Sequence, residues 1–168
     1  AIVPAGLFLA LLTLLPGIAA NTPVSFSIAW VPALGLDLAF HIDGLALVFA
    51  LLITGIGTFI VVYSGAYLGG HPHRGRFMAF LLLFTGSMLG LVLTDNMVAL
   101  FCFWELTAVT SFLLIGFDHE RPAARRSAVQ ALVVTGLGGL ALIAGGTLMW
   151  VVTDTWQVSG LVNAPALE

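Results

Sequence analysis

Glu105 is the single charged residue in a long apolar run, NMVALFCFWELTAVTSFLLIGF, at residues 96–117. The run is long enough to cross a bilayer as a helix, which would place the carboxyl roughly 12 Å along it at about 1.5 Å per residue. A carboxylate at that depth costs about 2.5–3.5 kcal/mol, and ionisable residues inside spanning helices usually lie on transport paths. Because burial disfavours the charged form, such a group can take up and release a proton. We predict a proton or cation relay at Glu105; the alternative is a buried acid that only joins two helices.

Helical periodicity gives Glu105 no strongly polar neighbour on its own helical face. At about 100° per residue, Thr107 and Ser111 lie toward the opposite side of the helix. The partner of the carboxylate is therefore expected to come from another helix or from water. The residues within about 60° of Glu105 are Phe101, Cys102, Ala108, Val109, Phe112 and Gly116.

The composition indicates an integral membrane protein. Of the 168 residues, 60% are hydrophobic and 8% are charged, whereas an average soluble domain is about 25% charged. The mean hydropathy is +1.12. With no lysine and no basic patch, the chain is not expected to bind nucleic acid. The four histidines lie at span ends or in loops, so no Ser/His/Asp or Cys/His set lies at one depth and a hydrolase is not expected. We also expect no metal site and no cofactor.

Hydropathy predicts an all-α membrane protein that forms part of a larger helical module, with residues 1–168 as one transmembrane unit. Pro16 predicts that the first span ends early or is kinked. The connector 21–42 contains the alternating stretch 24–28, which predicts a short strand and a hairpin on the membrane surface. It is punctuated by Pro23, Pro32 and Gly35. The five predicted transmembrane helices lie at about residues 2–20, 43–68, 77–94, 97–117 and 127–152.

Polar residues at the span ends suit helix caps. Asp43 stands immediately before the second span, where its carboxylate can accept backbone N–H groups as an N-cap. As a charge near one mouth of the membrane, Asp43 is also a weaker candidate for proton or cation entry. Asp95 and Asn96 form a very tight turn before the fourth span and likewise suit an N-cap. In the glycine-rich fifth span, two small-residue pairs predict close helix packing: Thr135 with Gly139, and Ala141 with Gly145.

All five arginines lie in two segments, residues 71–76 and 118–126. Along a path of five helices, these segments alternate with connections that carry no arginine. The positive-inside rule therefore places both basic segments in the cytoplasm and the C-terminal tail outside. The chain opens with Ala1 inside an apolar run and without a basic leader, so we expect a fragment of a longer polypeptide rather than a signal peptide.

Several motifs resemble a known family of membrane subunits. They are W-x-P-x-L-G…DGLAL at residues 30–47, ITGIGTFIVVYS at 53–64, DNMVALFCFWELTAVTSFLLIGF at 95–117 and GGLALIAGG in the fifth span. In combination they are similar to the antiporter-like subunits shared by respiratory complex I and the Mrp-type multisubunit cation/proton antiporters. Within that family the chain is most similar to the large A subunits of the Mrp antiporters.

The resemblance implies a subunit of a monovalent cation (sodium)/proton antiporter in the bacterial plasma membrane, rather than an enzyme. Its expected partners are other subunits of the antiporter complex, the lipid bilayer, and the monovalent cations and protons that it would carry. Glu105 maps onto the family's glutamate on the proton path, which pairs with a lysine on the seventh helix of the family's module. The five spans would be the second to sixth helices, so that lysine would lie outside this chain.

Two other functions remain compatible with the sequence. One is a proton-pumping membrane-arm subunit of a complex I-like or membrane-bound hydrogenase redox complex, whose redox chemistry occurs in other subunits. The other is a structural membrane subunit without a transport role, in which Glu105 only holds helices together. Co-purifying flavin and iron–sulfur subunits would favour the first, and full transport after Glu105→Ala would favour the second.

Overall fold

A computed structural model of the chain describes residues 1–31 and 36–161. Five of its helical segments are long and apolar enough to cross a membrane, so the predicted five-helix membrane architecture is confirmed. Pro32 and Gly35 of the predicted connector, and Glu168 of the tail, lie outside the described residues. In chain order the elements are α1 (Ile2–Leu12), α2 (Leu15–Ala19), β1 (Val24–Val31), β2 (Leu36–Ile42), α3 (Gly44–Tyr67), α4 (Arg74–Leu93), α5 (Met97–Ile115), α6 (Pro122–Thr153) and α7 (Val158–Leu161).

The first span is broken into α1 and α2 close to Pro16. A proline inside a helix lacks one backbone N–H and clashes with the carbonyl four residues earlier. At the break, the Leu14 N–H donates to Leu11 O at 3.1 Å and the Thr13 hydroxyl donates to Ala10 O at 2.6 Å. The predicted interruption of this span is therefore confirmed, and Pro16 lies in the first turn of α2.

The spanning helices pack in chain order. In the described part of the chain, extensive helix contacts join α1 to α3, α3 to α4, α4 to α5 and α5 to α6. The other helix faces are apolar and open; Phe59 and Leu148, for example, are 76% and 69% exposed. Along α3, a stripe of mostly small residues is buried at helical spacing, made of Ala46, Leu47, Ala50, Thr54, Gly57, Val61 and Ser64.

Glycines on both neighbours let α5 approach them closely. A Cβ atom at Gly90 of α4 would overlap the ring of Phe103, and a Cβ at Gly146 of α6 would overlap the side chain of Met97. Because these positions carry no side chain, the α5 residues fill the space instead. Small residues serve this purpose in membrane helices, where packing drives association.

The two small-residue pairs of α6 differ in their surroundings. Gly139 is buried in the contact with α5, and Thr135 is half-buried beside it, so close packing is confirmed for this pair. Ala141 and Gly145 are exposed, and a Cβ at Gly145 would meet open space. Close packing of that second pair is therefore not found among the described residues. At about 100° per residue, both of its members are rotated away from the face that carries Gly139.

β1 and β2 form the predicted hairpin, paired antiparallel from Val24 opposite Ile42. The turn between α4 and α5 connects this hairpin to the segment after α6. The Asp95 N–H donates to Ala39 O at 2.7 Å, and Asp95 O accepts the Val158 N–H at 2.9 Å. The Asp95 carboxylate also accepts the backbone N–H and the hydroxyl of Ser159, at 2.7 and 2.6 Å. Asp95 thus ties three parts of the chain together at the hairpin end of the helices.

The two arginine-bearing segments meet at the other end. Arg76 donates to Phe117 O at 3.4 Å, and its guanidinium lies 5.3 Å from the centre of the Phe117 ring. Helix α4 begins at Arg74 and α6 at Pro122, so both helices extend into the segments expected to be basic loops. Proline suits the first turn of a helix, where its missing N–H would have no intrahelical acceptor. At about 1.5 Å per residue α6 is roughly 48 Å long, more than the hydrocarbon thickness of a bilayer.

Asn96 is the N-cap of α5, as predicted, and its removal should weaken the fold. The Asn96 side-chain oxygen accepts the N–H groups of Val98 at 2.9 Å and Ala99 at 3.1 Å. We expect Asn96→Ala to lower the free energy of unfolding by about 1 kcal/mol, measured by denaturant unfolding of the purified protein in detergent. Asn96→Asp keeps an acceptor oxygen and should unfold like the wild type. Equal destabilisation by both substitutions would contradict the capping role.

Candidate functional site

Glu105 lies in the middle of α5 with its carboxylate against α6. The residue as a whole is half-buried, and its Oε1 atom is buried with no hydrogen-bond partner. Among the residues that the structure describes, no other buried side-chain nitrogen or oxygen lacks a partner. A buried polar atom left unsatisfied costs about 1–3 kcal/mol, which makes such atoms rare. Within the described residues, Glu105 therefore differs from the other polar side chains in having a buried atom without a hydrogen-bond partner.

Gly139 of α6 provides the space that the carboxylate occupies. A Cβ atom at Gly139 would overlap Oε1 of Glu105 and would come within 3.1 Å of its Cδ atom. Both distances are shorter than ordinary van der Waals contact. The carboxylate therefore lies directly on the backbone of α6, at a position where any other residue would place a side chain.

Trp104 connects α5 to α6 beside this contact. Its indole Nε1–H donates to Thr135 O at 3.1 Å, and its Cδ1 atom lies 3.0 Å from where a Cβ at Gly139 would be. In an α-helix, the carbonyl of residue 135 also accepts the N–H of residue 139. Trp104 thus binds the same helical turn of α6 that contacts the Glu105 carboxylate.

Three threonine hydroxyl groups of α5 and α6 are used within their own helices. Thr107, Thr110 and Thr135 each donate to a carbonyl three or four residues earlier, at 2.7 Å. Such bonds satisfy a hydroxyl without water, as is common for threonine in helices. Glu105 thus receives no hydrogen bond from them, in line with the expected lack of a partner on its own helix. Chemically, the carboxylate can carry a proton or pair with a cation from beyond the described residues.

Asp43 lies at the hairpin end of the bundle, in a different environment. Its carboxylate accepts the Ala46 N–H at 2.8 Å, so the predicted N-cap of α3 is confirmed. Asp43 also lines a cleft of about 730 Å³, together with Asp95 and Trp104. Glu105 is not among the described residues that line this cleft. The cleft therefore reaches Trp104, the residue next to Glu105, but Asp43 and Glu105 do not line it together.

Glu105 and Asp43 could be selected as candidates from the sequence, whereas the contributions of Trp104 and Gly139 could not. Gly139 was visible as part of a small-residue pair, and Trp104 as the neighbour of Glu105. Neither the small-residue pair nor the position next to Glu105 predicts which face of α6 packs against which face of α5. Asp95 was expected in a turn or as an N-cap, and its place in the cleft depends on how the hairpin docks onto that turn.

The chain is similar to two family profiles. Residues 28–78 match the profile described as "NADH-Ubiquinone oxidoreductase (complex I), chain 5 N-terminus". Residues 94–167 match the profile described as "NADH:quinone oxidoreductase/Mrp antiporter, TM". The second match contains both Glu105 and Gly139.

Two relatives share about two fifths of their aligned residues with this chain. The chain is 41% identical over 161 residues to a Na(+)/H(+) antiporter subunit A1 of Staphylococcus aureus strain JH9, an alignment that covers 96% of this chain and 20% of the relative. A chain in the Mrp complex from Dietzia sp. DQ12-45-1b is 39% identical, with a TM-score of 0.84, over 96% of this chain and 18% of that chain. The chain therefore spans about a fifth of the length of these relatives.

Two other solved structures are similar in fold alone. Respiratory complex I from Thermus thermophilus matches with a TM-score of 0.70 at 23% identity, over 96% of this chain and 34% of that chain. The archaeal membrane-bound sulfane sulfur reductase matches with a TM-score of 0.73 at 18% identity, over 90% of this chain and 23% of that chain. The profile matches over residues 28–78 and 94–167, together with the relatives at 41% and 39% identity, identify the chain as a member of the antiporter-like membrane subunit family shared by Mrp antiporters and NADH:quinone oxidoreductases.

Proposed function

We propose that this chain is part of a multisubunit monovalent cation/proton antiporter, with Glu105 as a membrane-buried carboxylate on its proton or cation path. The assignment to an antiporter is supported by the 41% identity to a protein named Na(+)/H(+) antiporter subunit A1. The observation that carries the role of Glu105 is its buried Oε1 atom without a hydrogen-bond partner in the described residues. The chain would act in a bacterial plasma membrane, with other antiporter subunits as its partners.

In this mechanism, Glu105 alternates between an ion-paired and a protonated state. An ionised carboxylate at this depth needs a cation, because an unpaired charge there costs about 2.5–3.5 kcal/mol or more. The one ion pair within the described residues joins Arg121 to Asp118 at 2.7 Å, in an exposed loop. The cation that pairs with Glu105 must therefore come from the rest of the assembly. When that pair opens, Glu105 takes up a proton, and re-forming the pair releases it.

A proton-pumping membrane-arm subunit of a redox complex is the second candidate. The similarities to Thermus thermophilus complex I and to the sulfane sulfur reductase support it only at the level of the fold. The identities of 41% to the Na(+)/H(+) antiporter subunit A1 and 39% to a chain of the Mrp complex favour the antiporter. Proton movement that required an electron donor and did not depend on Na⁺ would favour the redox-complex subunit over the antiporter.

Glutamine at position 105 removes the ionisable group and keeps the size of the side chain. In everted vesicles that contain the full-length protein and its complex, we expect Glu105→Gln to reduce Na⁺-dependent proton movement to the level of vesicles without the complex. Co-purification of the other subunits should stay as in the wild type. Glu120→Gln, in an exposed loop, is the matched control and should exchange normally. Wild-type exchange by Glu105→Gln would refute the relay.

We propose a subsidiary role for Asp43 in drawing protons or cations toward the hairpin end. Asp43→Asn removes the charge and keeps a capping oxygen, so it should leave stability unchanged and raise the Na⁺ concentration needed for half-maximal exchange. Asp43→Ala also removes the cap of α3 and should lower the free energy of unfolding by about 1 kcal/mol. If the Asn variant has the wild-type Na⁺ dependence, Asp43 is a helix cap and nothing more.

We further propose that the basic segments 71–76 and 118–126 face the cytoplasm and that the segment after α6 faces outward. The contact between Arg76 and Phe117 supports a common side for the two basic segments. The test uses a membrane-impermeant maleimide on single cysteines, in the full-length protein with Cys102, which is itself exposed, and every other cysteine replaced by serine.

In intact cells, Gln157→Cys should react with the maleimide, because this exposed residue lies at the hairpin end. Glu120→Cys, exposed at the arginine-bearing end, should react only after the cells are permeabilised. The opposite pattern of labelling would invert the proposed orientation.

A further inference from the structure

We propose that Gly139 is a positioning residue for Glu105, and that it acts by leaving open the space on α6 in which the carboxylate is held. This inference rests on the proposed role of Glu105 and adds a residue from another helix to the site. Its basis is geometric, because a Cβ atom at Gly139 would overlap Oε1 of Glu105. The absence of a side chain at position 139 therefore determines where the carboxylate of Glu105 can lie.

The overlap involves the free end of a flexible side chain. With alanine at position 139, the carboxylate can rotate away about its side-chain torsions, so α6 need not break its own hydrogen bonds. Trp104 Cδ1, 3.0 Å from the added Cβ, would have to shift by only a few tenths of an ångström. The expected consequence is a folded protein in which the Glu105 carboxylate has moved.

Trp104 prevents the two helices from separating to make room. Its Nε1–H donates to Thr135 O at 3.1 Å, one turn before Gly139. Met97 of α5 also packs closely against Gly146, two turns further along α6, and this contact fixes the two helices at a second position. With α5 fixed to α6 at two levels, a methyl group at position 139 displaces the carboxylate rather than the helix.

Other glycines of α6 provide matched controls. A Cβ atom at Gly136 or Gly145 would meet nothing within 4 Å in the described part of the chain. Alanine at these positions adds the same methyl group and the same gain in helix propensity. A difference between Gly139→Ala and these two variants therefore reports the contacts of position 139 with Glu105 and Trp104 and not the loss of a glycine.

The experiment measures Na⁺-dependent proton exchange in vesicles that contain the full-length complex, over a range of pH. Gly139→Ala should lower exchange by about 10- to 100-fold, since a misplacement of about 1 Å can cost 100-fold, and should move the pH of half-maximal exchange. Gly136→Ala and Gly145→Ala should keep the wild-type rate and pH profile. Gly139→Ala with the rate and profile of these controls would overturn the inference.

A shorter acid provides the decisive comparison. Aspartate at position 105 ends one methylene earlier, so in the same rotamer its carboxylate oxygens lie near the present position of the Glu105 Cδ atom, 3.1 Å from the added Cβ, and the overlap made by Oε1 is removed. Glu105→Asp combined with Gly139→Ala should therefore assemble and exchange like Glu105→Asp alone, a non-additive result expected for residues in contact. The methyl group would act on something other than Glu105 if the loss of exchange in the double variant equalled the product of the two single losses. The same conclusion would follow if both Gly139→Ala and the double variant failed to assemble.

The two proposals fail in different ways. Wild-type exchange by Glu105→Gln would refute the proposed function itself. Loss of exchange in Glu105→Gln, together with a Gly139→Ala variant that behaves like Gly136→Ala, would refute only the positioning role of Gly139.

Discussion

The close approach of α5 to α6 is the constraint on which the candidate site depends. Between membrane helices there is no hydrophobic driving force, so packing and interhelical hydrogen bonds must hold them together. Here the packing uses the missing side chains of Gly139 and Gly146, and the hydrogen bond runs from Trp104 to Thr135 O. Such bonds contribute about 0.6 kcal/mol on average, so this bond alone is a small contribution to the association. The same approach presses the Glu105 carboxylate onto the backbone of α6.

This arrangement separates charge along the helices. The two arginine-bearing segments lie together at one end, and Asp43 and Asp95 line a cleft at the hairpin end. Glu105 lies between them, on a helix that has no other charged residue. Under the proposed function, this acid between a basic and an acidic end passes a proton or cation across the membrane when a movable cation partners it. The open apolar faces of this row of helices leave room for further helices to supply one.

Much of the fold could be predicted because it depends on local patterns. The five spans follow from hydropathy, and the interruption of the first span follows from Pro16. The caps at Asp43 and Asn96 follow from residues that accept backbone N–H groups where a helix begins. Helix ends were less well predicted: α6 begins at Pro122 and carries its arginines on its first turns, which hydropathy alone assigns to a loop. Local signals of this kind need no knowledge of distant residues.

The sequence by itself determined that an acid lies in the middle of a membrane helix and that its own helix offers it no strong partner. Only the tertiary structure decided which face of α6 meets Glu105. The glycine pattern of α6 is compatible with several faces, and the choice between Gly139 and Gly145 depends on how side chains of α5 fit against the whole length of α6. Docking of the hairpin onto the turn at Asp95 likewise requires residues far apart in the chain to meet. Packing between helices depends on many residues at once, so it cannot be predicted from any single segment of the sequence.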